Sequence, residues 1–158
     1  MDELPTGIVT FLFTDIEGST QLLHDLAAEY EPIQDRHADL IRSSLADQHG
    51  HEIRTEGDSF FVVFRTAAQG VRAAVAAQRA FATEPWPFDA RVRVRMGLHT
   101  GEGNAGGDDY LGIDVNLAAR IAAAGHGGQI LVSDATRALV ADDLPEGVRV
   151  RALGSYTA

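Results

Sequence analysis

The chain has 158 residues, 45% of them apolar, which is enough for one domain with a real core and leaves little room for two. Its formal charge of −10, with thirteen Lys and Arg spread along the chain, argues against a nucleic-acid partner and makes any phosphate it binds a local event, entering with metal ions that offset like-charge repulsion. No apolar run approaches a membrane span, the first residues lack a leader pattern, and the absence of cysteine removes disulfides and thiolate metal sites, so a soluble cytoplasmic domain is the default expectation.

Residues 7–13 are apolar on both alternating faces, as in a strand buried from two sides, and the run ends at Thr14-Asp15. Leu22, Leu23 and Leu26, then Ile33, His37, Leu40, Ile41 and Leu45, recur at helical spacing and predict two helices separated near Pro32. Two short strands, 51–56 and 59–64, follow as a tight hairpin across Gly57-Asp58. A helix over 68–82 is closed by Pro85-Trp86-Pro87, and residues 91–98 alternate as a strand with one apolar face. The glycine-rich stretch 101–112 predicts a loop or short ribbon. After it come a helix over 114–124 with Gly125 suited to a left-handed cap, a strand over 129–132, a short helix over 134–140 and a last strand over 148–153. This order predicts an α+β fold, ferredoxin-like at its heart, with helices packed on a mixed, mostly antiparallel sheet. Residues 155–158 carry no closing element, which leaves room for further domains in a longer chain.

Asp15 directly follows a buried strand and Asp58 sits in a hairpin turn, so two hard-oxygen ligands can converge at one end of the sheet and suit Mg²⁺ or Mn²⁺. Ordinary strand-end and turn aspartates give the same pattern. Glu17-Gly18-Ser19-Thr20 opens the first helix, whose unpaired N–H groups can receive a phosphate, or simply start a helix capped by Ser19 or Thr20. Asn116 and Arg120, four apart, project from one helix face, where one can hold a sugar while the other meets a phosphate.

Four segments in this order carry a resemblance: residues 11–20 (FLFTDIEGST), 56–61 (EGDSFF), 97–101 (GLHTG) and 109–120 (DYLGIDVNLAAR). Each is weak alone, and together they resemble the class III adenylate and guanylate cyclase catalytic domain in its compact bacterial form, over about residues 7–153 of a single domain spanning 1–158. The resemblance implies that Asp15, Asp58 and the carbonyl of Ile16 hold two Mg²⁺ or Mn²⁺ ions. It further implies that Asn116 orients the ribose, that Arg120 stabilises the α-phosphate, and that Arg95 contacts phosphate. It implies a homodimer in which each site takes its metal aspartates from one subunit and Asn116 and Arg120 from the other, so that dimerisation is required for activity.

At the base, the resemblance assigns Asp109 to accept from the adenine 6-amino group, which favours ATP and an adenylate cyclase forming 3′,5′-cyclic AMP. The family's usual lysine, four residues before the second metal Asp, is Arg54 here, and an arginine also donates to the O6 and N7 of guanine. A guanylate cyclase and a weakly active nucleotide-binding regulatory module are therefore the alternative readings. His49-Gly50-His51 reads as turn chemistry rather than a metal pair, His99 as packed rather than catalytic, and Gly101–Gly106 lacks the βαβ context of a dinucleotide loop.

Overall fold

The computed structural model of the protein describes residues 4–106 and 109–153. Its central strand is β1 (Gly7–Ile16), paired antiparallel with β3 (Ser59–Phe64) on one side and β4 (Val94–Gly106) on the other. β2 (His51–Glu56) completes the hairpin with β3 through a turn in which Gly57 takes a φ of +61°, a left-handed conformation that favours glycine. The far end of β4 folds back antiparallel onto β5 (Asp109–Leu111), while β6 (Ile130–Val132) pairs parallel with its beginning. The strand order β2-β3-β1-β4-β5, with β6 also on β4, is the mixed, mostly antiparallel, ferredoxin-like sheet that the element order predicts.

Alternation along β1 divides the core in two. Leu12 and Ile16 point to a face covered by α2 (Tyr30–Ala46) and α3 (Ala67–Thr83), where Phe60, Phe64, Met96 and Leu98 are buried. Val9 and Phe11 point to the other face, packed with Phe61, Val63 and Tyr110 against Val115 and Ala118 of α4 (Ile113–Ala124). Three of the four buried threonines are paired, whereas the Thr14 hydroxyl has no partner among the described residues. Thr10 and Thr100 share a hydrogen bond of 2.9 Å, and Thr100 and Thr136 one of 2.8 Å, tying α5 (Asp134–Val140) to the sheet centre.

Glycine decides how closely α4 lies on β4. A Cβ at Gly97 would sit 2.3 Å from the backbone nitrogen of Ala122, and a Cβ at Gly101 would sit 2.3 Å from the carboxyl carbon of Asp114. Neither space can hold a side chain, so these two positions form a floor that only bare backbone supplies.

Three expectations are corrected. The break between the first two helices lies at Ala27–Glu29, after α1 (Ser19–Leu26), where Ala27 has a positive φ of 49°. Pro32 falls in the first turn of α2, where its missing N–H costs no helix bond. Gly125 ends α4 in an extended conformation rather than a left-handed one. Residues 148–153 form no strand, because alternation supplies the side-chain pattern but none of the described strands pairs with them. At the predicted turn His49 adopts a φ of 57° before His51 opens β2.

Candidate active site

Asp15 is the penultimate residue of β1 and shares the face of Phe11 and Phe13. Directly opposite it in the β1–β4 register is Arg95, whose Nε donates to Asp15 Oδ1 at 2.8 Å and whose second guanidinium nitrogen donates to Oδ2 at 2.5 Å. The hairpin turn brings Asp58 to the same corner, where its Oδ2 accepts from the Ile16 amide at 2.6 Å. Glu17 accepts from the Gly127 amide at 2.7 Å, which ties the strand exit to the loop before β6. The guanidinium of Arg95 is held above its ordinary pKa, first by the hydrogen bond to Asp15 and then by the charges of Asp15, Glu17 and Asp58, against the opposing effect of burial. The corner is therefore an electronegative locus that already grips a cation.

That observation tests the expected metal site. Two carboxylates and the Ile16 carbonyl are hard-oxygen donors suited to Mg²⁺ or Mn²⁺, and the bidentate pair with Arg95 shows that Asp15 is placed to hold positive charge. The residues fit the group. Among the described residues no three His, Cys, Asp or Glu side chains cluster as a ready-made metal cage, so the protein supplies only part of a coordination shell. This suits Mg²⁺, which usually keeps waters and takes substrate phosphate as ligands.

Beside the acidic corner, Arg54 lies with its guanidinium 5.0 Å over the ring of Phe61, which stacks on Phe13 at 4.4 Å between centroids. Phe13, Arg54, Glu56, Ser59, Phe60 and Phe61 line a hollow of about 110 Å³. The aromatic floor was not anticipated from sequence, although alternation places Phe13 and Asp15 on one face. The side chain of Asp109, the other expected base contact, lies outside the described residues. Tyr30 was also missed: its buried hydroxyl has no partner among the described residues, and burial together with the charge of Asp58 pushes its pKa up to about 12.

Asn116 and Arg120 stand on α4 and are both exposed. Arg120 lines a separate groove of about 1040 Å³ between α4, β6, α5 and residues 148–153, and it makes no ion pair among the described residues. The structure thus brings Asp15, Ile16, Asp58 and Arg95 together, places Arg54 next to them, and keeps Arg120 apart at a different groove. α1, whose N-terminus follows Gly18, has no side-chain cap, so neither Ser19 nor Thr20 serves in that role.

Comparisons with known proteins show the family. Residues 1–157 match the family described as the adenylate and guanylate cyclase catalytic domain, and the chain belongs to that family. It is 34% identical over 154 residues to an adenylate cyclase of Podospora anserina, covering 82% of this chain and 7% of that protein. It is 36% identical over 155 residues to an uncharacterized protein of Mycobacterium tuberculosis, covering 96% of this chain and 52% of the relative. The chain therefore spans about half, or far less, of the curated relatives it matches. Among solved structures, an adenylate cyclase of Trypanosoma brucei in its monomeric state superposes with a TM-score of 0.81 at 27% identity, covering 92% of this chain and 79% of that one. No helix among the described residues is long and apolar enough to cross a membrane.

Proposed function

We propose that this domain is an adenylate cyclase that converts ATP to 3′,5′-cyclic AMP and pyrophosphate at sites shared between two copies of the chain. The observation that carries the reading is the division of the charged groups: the carboxylates sit in one corner with Arg95, while Arg120 lines a different groove and makes no ion pair among the described residues. A lone chain therefore offers half of what a triphosphate needs, and a second copy offers the other half.

In this reading Asp15, Asp58 and the Ile16 carbonyl hold two Mg²⁺ or Mn²⁺ ions, which supply charge neutralisation on the phosphates and acidify the ribose 3′-hydroxyl. Asn116 of the second copy holds the ribose so that its 3′-oxygen lies in line with the α-phosphorus. The 3′-oxygen bonds to that phosphorus as its proton passes to solvent water. The bond from the α-phosphorus to the oxygen bridging to the β-phosphorus breaks, and pyrophosphate departs with that electron pair. Arg120 binds the α-phosphate oxygens where negative charge builds, with a planar fork that stays protonated. Arg95, released from Asp15, turns its guanidinium to the phosphates. Asp109 accepts from the adenine amino group. The exposed Arg54 supports a second reading in which the base is guanine, since a guanidinium donates to both O6 and N7.

The test mixes an Asp58→Ala chain with an Arg120→Ala chain and assays ATP and GTP with Mn²⁺. Each variant alone is expected to be inactive. The mixture should recover about a quarter of wild-type turnover, because half the dimers are mixed and each of those keeps one intact site. No recovery would overturn the shared site. Nucleotide binding by the wild type without product from either triphosphate would favour a regulatory module instead.

A further inference from the structure

The first turn of α4 has no side-chain cap, because its N-cap position is Gly112. Its anchorage comes from Asp114, and through that residue from the strand beneath. Asp114 Oδ1 lies 2.8 Å from His99 Nε2, and Oδ2 accepts from the Glu102 amide at 3.0 Å. The other imidazole nitrogen, Nδ1, lies 2.8 Å from Ser133 Oγ, which caps α5 by accepting from the Thr136 amide at 3.3 Å. A carboxylate can only accept, so Nε2 carries the proton toward Asp114, and in the neutral ring Nδ1 accepts from the serine hydroxyl. His99 is 6% exposed, and with both nitrogens engaged its ring is fixed in place. The hydrogen bond from His99 also holds the Asp114 carboxyl below the usual carboxylate range. Gly101, one side-chain step along the same face of β4, leaves the space that the carboxylate fills.

This arrangement lies two residues before Asn116 and six before Arg120, on the same helix. The other end of α4 packs closely on the sheet, with Ala122 lying where a Cβ at Gly97 would sit and Leu131 beside Gly125. We propose that His99 is a positioning residue. By joining α5, β4 and Asp114 it fixes the first turn of α4, and with it the aim of Asn116 and Arg120 in the composite site. The anchoring is a property of the fold, whereas its effect on turnover rests on the cyclase reading above.

Asparagine and glutamine separate the two arms of the imidazole, since the polar atoms of asparagine approximate Nδ1 and those of glutamine approximate Nε2. His99→Asn keeps the link to Ser133 and releases Asp114, whereas His99→Gln keeps Asp114 and releases Ser133. Amide hydrogen exchange in His99→Asn should accelerate by about tenfold or more over residues 113–116 and stay unchanged over 120–124, and His99→Gln should restore protection. Turnover in His99→Asn should fall roughly 100-fold, with KM for the triphosphate little changed, and His99→Gln should recover most of it. Gly101→Ala, which displaces the Asp114 carboxylate without altering the histidine, should reproduce the asparagine phenotype and carries the test if His99→Asn does not fold. Wild-type exchange in the first turn of His99→Asn, or equal losses of turnover in both histidine variants, overturns the proposal. If the wild type forms no cyclic nucleotide the cyclase reading falls, and the exchange pattern still decides whether His99 anchors α4.

Discussion

The acidic corner at the end of β1 and the outer face of α4 carry the residues proposed to act on the triphosphate, and they are prepared in opposite ways. In the corner each carboxylate already has a counter-group: Asp15 has Arg95, Asp58 the Ile16 amide, and Glu17 the Gly127 amide. On α4 the side chains of Asn116 and Arg120 are exposed and make no hydrogen bond among the described residues, while everything beneath them is fixed by glycine contacts and the Asp114 anchor. One region has its carboxylates hydrogen-bonded within the chain and stays net negative, with three carboxylates around one guanidinium. The other presents an exposed guanidinium that makes no ion pair among the described residues.

The largest expected effect separates these regions by ligand. Asp58→Ala should lower turnover by at least about 100-fold and also weaken Mn²⁺ binding measured by electron paramagnetic resonance, whereas Arg120→Ala should lower turnover as far and leave Mn²⁺ binding intact. Equal loss of metal binding in both would erase the division.

A second expectation concerns the face of the sheet away from α4, where His37 packs 5.4 Å from Phe81 and 5.7 Å from Phe60 with neither nitrogen partnered among the described residues. Burial lowers its pKa from 6.5 to about 4. The folded state therefore disfavours the proton that the unfolded chain accepts. The stability tied to neutral His37 is complete above about pH 6.5, is lost progressively as pH falls toward 4, and changes no further below that. The loss should reach up to about 3 kcal/mol and be absent in His37→Phe, as read from urea unfolding across that range. Parallel pH curves for the two proteins would show that the ring is not the titrating group.

The smallest effect sharpens the base subsite. Arg54→Lys keeps the charge over Phe61 but loses the fork, so the ratio of ATP to GTP turnover should rise by several-fold. An unchanged ratio would move the choice of base away from β2.

Much of this was legible in the sequence because it depends on local pattern. The alternation of residues 7–13, the Gly57-Asp58 turn and the spacing of Asn116 and Arg120 each report a geometry confined to one element. What stayed hidden depends on pairs of elements. That Arg95 faces Asp15 follows from a strand register 80 residues apart, which no local spacing encodes. His99 was expected to be packed, and it is, but its links to Asp114 and Ser133 need the packing of α4 and α5 on β4. Gly97 and Gly101 read as part of a strand motif, and their purpose appears only when a helix lies against them. The strand expected over 148–153 failed for the same reason, since alternation states which side chains face inward and not whether a neighbouring edge exists.

The bond between Arg95 and Asp15 has a thermodynamic consequence for anything positive that approaches the corner. A divalent ion reaching Asp15 arrives by exchange, expelling one cationic group as it enters, so the local gain is one unit of charge rather than two. The hold on such an ion would then be a difference between two attractions, sensitive to any anion that offers the expelled arginine somewhere better to go.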